Sequence, residues 1–144
     1  MSLPWIKARA PLAALVAALV LATPGCAPLP PDGATPMQAR VVERLYFGRA
    51  IPGGGSVSED DWSTFVAQEV TPRFPDGLTL LRAEGQWRDA ATGGLVREPT
   101  MVLELIHAGD AATDARVAAI AAAYKRRFQQ DAVLRVRGTA AVAF

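Results

Sequence analysis

From Val41 onward the apolar residues repeat with two periods, every second residue in some segments and every third to fourth in others. Val41 to Ala50 (VVERLYFGRA) is rich in β-branched and aromatic residues, and Leu45 and Phe47 alternate against Tyr46 and Gly48, which predicts a first strand. Ile51 to Val57 reads as a loop. Ser58 has the chemistry of a helix N-cap, with Asp61 three residues on and Glu59 and Asp60 in the first turn. Trp62, Phe65, Val66 and Val70 then follow at helical spacing, so a first helix is predicted over Glu59 to Thr71, stopped by Pro72 and Pro75. After the Asp76-Gly77 turn, Leu78 to Asp89 predicts a second strand with a bulge at Gly85. Ala90 to Gly94 bends a hairpin. Leu95 to His107 returns as a third strand, and Pro99 predicts that its early part is unpaired or bulged. Asp110 or Thr113 caps a second helix running to Gln130, with an apolar stripe of Val117, Ile120, Ala121, Tyr124 and Phe128. Ala132 to Arg137 predicts a fourth strand, with the tail as its candidate continuation.

The order β-α-β-β-α-β is that of a ferredoxin-like α+β fold: a four-stranded antiparallel sheet, strands in the order 4-1-3-2, with both helices on one face. The other face is then open. If Leu45, Phe47, Leu103 and Leu105 point to the helices, Arg44, Tyr46, Gly48, Val102, Glu104 and Ile106 point away from them. Placing Leu134 and Val136 inward puts Arg135 and Arg137 on the open face as well. An aromatic, a central carboxylate and flanking arginines would share one surface with apolar patches, the pattern of a binding face.

The N-terminal residues follow different rules. Lys7 and Arg9 precede an uncharged apolar run from Leu12 to Ala22, which ends at Thr23-Pro24-Gly25-Cys26. A charged start, a short apolar core and a small residue before the cut mark a secretory signal, and the run is shorter than the ~20 residues a bilayer span needs. Gly25-Cys26 resembles the lipobox of bacterial lipoproteins, in which the cysteine is acylated. Thr23 and Pro24 stand where such signals usually carry Leu and Ala or Ser. The expected organisation is a signal over 1–25, a disordered tether over 26–40 (Pro- and Gly-rich to Gln38) and one folded domain over 41–144. Cys26 is the candidate lipidation site, which would place the domain in the cell envelope, facing the periplasm or the exterior.

Removing residues 1–25 from 144 leaves 119, enough for one core of ordinary size. The signal takes two of the 15 Lys and Arg and none of the 14 Asp and Glu, so the remainder carries a net charge of −1. That balance argues against nucleic acid as a partner. No cysteine follows Cys26, so no disulfide is available to the domain.

Several blocks in order carry a family resemblance: Leu45-Tyr46-Phe47-Gly48-Arg49, Ile51-Pro52-Gly53-Gly54-Gly55, Thr71-Pro72-Arg73-Phe74-Pro75-Asp76-Gly77-Leu78-Thr79, Gly85-Gln86-Trp87, Ala123 to Phe128, and Leu134-Arg135-Val136. The chain resembles the bacterial domain of unknown function 3574 family over about Leu45 to Val136. The resemblance implies a small exported or lipoprotein-like protein and supplies no catalytic residues.

Candidate chemistry is sparse. Arg49 beside the Gly53-Gly54-Gly55-Ser56 loop suggests an anion site, but the spacing is neither a P-loop nor a dinucleotide fingerprint, and Glu59, Asp60 and Asp61 would repel a phosphate. Backbone geometry is the simpler use of these glycines. His107, the single histidine, has no G-x-S-x-G nucleophile to serve. One histidine and no cysteine beyond Cys26 argue against zinc, copper and haem, and no cofactor is predicted. Three functions follow as expectations. The first is a non-enzymatic module that binds a small ligand or an envelope protein through the open face, as a homodimer in one form. The second is a small dimeric enzyme with a pocket lined by Tyr46, Glu104 and Arg135. The third is a purely structural envelope lipoprotein. The ligand-binding candidates are Tyr46, Arg49, Glu104 and Arg135.

Overall fold

The structure is a computed structural model that describes residues 35–144 except Ala91. The predicted signal, Cys26 and most of the predicted tether lie outside the described residues. The elements are β1 (Gln38–Gly48), α1 (Glu59–Phe65) with a π-helical turn over Val66–Val70, β2 (Thr79–Arg88), β3 (Leu95–His107), α2 (Ala111–Phe128) and β4 (Leu134–Val142). The strands form one antiparallel sheet in the order β2-β3-β1-β4. With two helices against it, this is the expected α+β architecture. The first strand starts at Gln38 because Gln38, Ala39 and Arg40 pair with Val142, Ala141 and Ala140. The expected tether therefore ends at least three residues early, and β4 extends through the tail. The extension of β4 is the continuation into the tail that the sequence suggested, whereas the early start of β1 lies in a segment without alternating apolar residues.

Helix α1 starts as its sequence predicts. The Ser58 hydroxyl accepts the Asp61 N–H at 3.0 Å, and the Asp61 carboxylate accepts the Ser58 N–H at 3.2 Å. Its end differs from the predicted α-helix through Thr71. The Thr71 N–H reaches five residues back to the Val66 carbonyl at 2.9 Å. The widened turn keeps Val70 buried on the same side as Trp62 and Phe65, where a fifth residue of an α-helix would rotate away. In α2 the Asp110 carboxylate is the cap, accepting from the Thr113 N–H at 2.8 Å. The helix closes at Gln129 in the left-handed region, φ 53°.

The predicted irregularities of the hairpin are absent. The β2–β3 register runs unbroken from Thr79↔Glu104 through Glu84↔Pro99 and Gly85↔Glu98 to Arg88↔Leu95. Pro99 faces Arg49, whose N–H bonds the Pro99 carbonyl at 3.1 Å, and the Arg49 carbonyl that a Pro99 N–H would have met accepts instead from the Val57 N–H at 2.8 Å. The core lies between the central strands and the helices. Leu45, Phe47, Leu103, Leu105, Trp62, Phe65, Val117, Ile120, Tyr124 and Phe128 are buried together. Phe47 packs against Tyr124 at 4.7 Å between ring centroids and against Trp62 at 5.2 Å.

Candidate functional site: the open face of the sheet

Residues paired across neighbouring strands share a face, so the register fixes what the open face carries. One row crosses all four strands as Leu81–Val102–Tyr46–Leu134. The next row is Thr79–Glu104–Arg44–Val136, and a third is Ile106–Val42–Gly138. Beyond them lie Ala83, Trp87 and Val96. Leu81, Trp87, Ile106, Leu134 and Val136 keep 43–59% of their surface exposed. In the middle, Arg44 Nε donates to Glu104 Oε2 at 2.6 Å.

The edge strands therefore face opposite to the usual one-sided sheet, which turns apolar residues to the helices and polar ones to water. β2 sends Thr79, Leu81, Ala83 and Trp87 to the open face, and Leu80, Arg82, Glu84, Gln86 and Arg88 to the helix side. β4 sends Leu134 and Val136 to the open face, and Arg135 and Arg137 to the helix side. The expectation that Leu134 and Val136 point inward is overturned. The cause is Glu43, which lies on the helix side opposite Arg137 and Leu105 and is fully buried. Its carboxylate accepts from Arg135 Nε at 2.6 Å and Nη2 at 2.5 Å, and Arg137 Nη1 lies 3.4 Å away. Both arginines also donate to Asp114 of α2, at 2.5 and 2.8 Å. Arg135 is held firmly charged by its hydrogen bonds to Glu43, and Arg135, with Arg137, holds the Asp114 carboxyl below the usual range. On the other rim, Arg82 of β2 reaches Glu59 of α1 at 2.9 Å. Ion pairs thus tie the edge strands to the helices and leave their apolar residues facing out.

Of the four candidate ligand-binding residues, the fold brings Tyr46 and Glu104 onto the open face and does not bring Arg49 or Arg135 there. Arg49 donates from Nε to the Val57 carbonyl at 2.7 Å and from Nη1 to Glu59 at 2.5 Å. Gly53, Gly54 and Gly55 all adopt positive φ, and the loop closes on itself through Ile51 N–H to Gly55 O at 3.1 Å. The glycines thus serve backbone geometry. His107 ends β3 on the helix side, where its Nδ1 accepts the Gly109 N–H at 3.0 Å. That bond places the neutral ring's proton on Nε2, which is buried without a hydrogen-bond partner among the described residues and 3.8 Å from Glu43 Oε1. Burial pushes the imidazole below its ordinary value, against the opposing pull of Glu43.

Two buried polar features escaped the sequence reading. One is the Glu43 cluster, whose signal was a charge at a helix-facing position of the Val41–Glu43–Leu45–Phe47 alternation. The other is Glu98, buried on the open side of β3 because Gly48 leaves room for it. Its carboxylate accepts the Ala50 N–H at 2.7 Å, and a Cβ at position 48 would stand 2.0 Å from Glu98 Oε1. An open cleft of about 530 Å³ lies where β2 begins, lined by Glu104, Ile106, His107, Phe74, Asp110 and Arg116 among others. The Arg116 guanidinium stacks 5.3 Å above the Phe74 ring.

Fold and face together define a class: a small α+β domain whose four-stranded sheet is apolar on the side away from its helices. The chain belongs to the family described as protein of unknown function (DUF3574), whose model matches residues 42–144. No curated protein matches the chain. It is similar in fold to a phage SAM lyase solved in complex with S-methyl-5'-thioadenosine, with a TM-score of 0.56 at 14% identity over 73% of this chain and 90% of that one. The same description holds for a phage SAM lyase in its apo state, with a TM-score of 0.52 at 14% identity over 74% and 90%.

Proposed function

We propose that this protein is an exported, lipid-anchored module of the bacterial cell envelope that binds a partner through the open face of its sheet. The element order βαββαβ and the strand order β2-β3-β1-β4 support a ferredoxin-like reading of the fold. One observation carries the binding role: Leu81 and Trp87 of β2 and Leu134 and Val136 of β4 point away from the helices, so with Ile106 they share one exposed surface. On a lone domain these side chains stay in water, whereas a covering partner removes the patch from it. Photo-crosslinking tests it. A benzophenone side chain at position 136 should give a discrete macromolecular adduct in the envelope, and one at Arg126 on the helix side should not. Absence of any adduct at position 136 sinks the reading. The anchor has its own test: Cys26→Ser should move the protein out of the membrane fraction, and unchanged fractionation rejects lipidation.

The enzyme alternative expected a pocket lined by Tyr46, Glu104 and Arg135, which the sheet separates, with Arg135 on the helix side. A small-ligand role would instead use the cleft beside Glu104 and Arg116. Calorimetric titration with S-methyl-5'-thioadenosine, the molecule held by the similar lyase, tests that role. Heat that saturates and is lost in Arg116→Ala would favour it, and flat heats would leave the face as the working surface.

A further inference from the structure

Building on the open-face reading, we infer that the occupant of this face is a second copy of the same chain, packed sheet to sheet about a two-fold axis. Charge supports this first. Arg44 and Glu104 stand directly opposite each other on the two central strands, and they are the only charged side chains in the three rows that run through the middle of the face. An axis lying between the two sheets, along the strands and over the β1–β3 seam, places each β1 over the partner's β3. Each Arg44 then meets the partner copy's Glu104, and each Glu104 the partner copy's Arg44, so two ion pairs join into a neutral ring of four charges. A different protein would have to supply this arrangement, whereas a second copy brings it by symmetry. A membrane surface would instead favour unpaired cations, and Arg44 is already paired.

The same operation matches the remaining rows. Each β2 falls over the partner's β4, so Leu81 covers Leu134 and Val102 covers Tyr46. Sheets packed this way lie ~10 Å apart, a distance that side chains from both faces fill. The size also fits. Four strands at ~4.8 Å spacing and about ten residues at ~3.4 Å make a face of roughly 650 Å². Two such faces bury about 1,300 Å², inside the range of stable interfaces.

The charge pattern supplies the test. Arg44→Glu gives a face with two acids, and Glu104→Arg a face with two bases. Each variant repels its own copy, and the two attract each other. Native mass spectrometry of the full chain, released from detergent, should find two copies per particle for the native sequence at ~10 µM. Each variant alone should be a single copy, with self-affinity reduced about 100-fold or more. An equimolar mixture should recover a particle holding one of each, which also shows that both variants fold. A native chain that stays single at ten times that concentration overturns the inference, and so do variants that pair with themselves as well as the native chain does. If the chain is single while position 136 still crosslinks to a different protein, the face binds a partner and the second-copy inference alone fails.

Discussion

Replacing Glu43 by glutamine removes one negative charge from the interior and almost nothing else. The carboxylate is fully buried and accepts two short hydrogen bonds from Arg135, with Arg137 at 3.4 Å. Hydrogen bonds to charged groups contribute about 1.5–3 kcal/mol each, and breaking a buried ion pair costs about 3–5 kcal/mol. Two features reduce the loss here. The Arg135 side chain is 28% exposed, so water can reach it, and it keeps Asp114 at 2.5 Å. The expected loss for Glu43→Gln is therefore about 2–4 kcal/mol. At about 4 °C per kcal/mol for a domain of this size, the melting temperature should fall by roughly 8–16 °C. Urea unfolding at pH 7, followed by tryptophan fluorescence, measures the difference, and an unchanged denaturant slope would show that the folded state is intact. The paired variant Glu43→Leu with Arg135→Met should lose less than the sum of its two single changes, because neither charge is then left without its partner. A Glu43→Gln variant within ~0.5 kcal/mol of the native chain, or strict additivity in the pair, would refute the view that this cluster sets the orientation of β4.

Three other outcomes are expected. Gly48→Ala should destabilise by about 1–3 kcal/mol, because its Cβ would stand 2.0 Å from Glu98 Oε1, and adding Glu98→Ala should recover part of that loss in thermal melts. Burial lowers the His107 pKa, so below pH 6.5 the unfolded chain takes up a proton that the folded chain refuses. Stability should then fall as pH drops from 7.5 to 5.5, by no more than ~1.4 kcal/mol per unit from this group, and His107→Gln should flatten that part of the curve. Tyr124→Phe, which removes the hydroxyl donating to the Gly48 carbonyl at 2.9 Å, should cost about 1 kcal/mol in the same urea assay; no change would show that water replaces the bond.

Much of the fold was legible because its signals are local. Ser58 with Asp61, Asp110 with Thr113, and the alternation through Leu45 and Phe47 each depend on residues a few positions apart, and each appears in the structure as its spacing predicts. The π-turn after Phe65 was not legible, because its cause is the burial of Val70 against a core assembled from distant segments. The bulge expected at Gly85 shows the same limit. A glycine in a strand signals a close approach, but which neighbour approaches depends on the register. Here it is the Thr100 side chain, whose Oγ1 would lie 2.7 Å from a Cβ at position 85.

By itself the sequence determined the number, type and order of the elements, the apolar interior of the two central strands and the family to which the chain belongs. Tertiary structure alone decided which way the edge strands face. An alternating strand such as Leu134-Arg135-Val136-Arg137 satisfies its own periodicity in either orientation, and a shift of one residue exchanges the faces completely. The choice falls to a partner 92 positions away in sequence, the buried Glu43, whose charge draws Arg135 to the helix side and so turns the apolar residues of β4 outward.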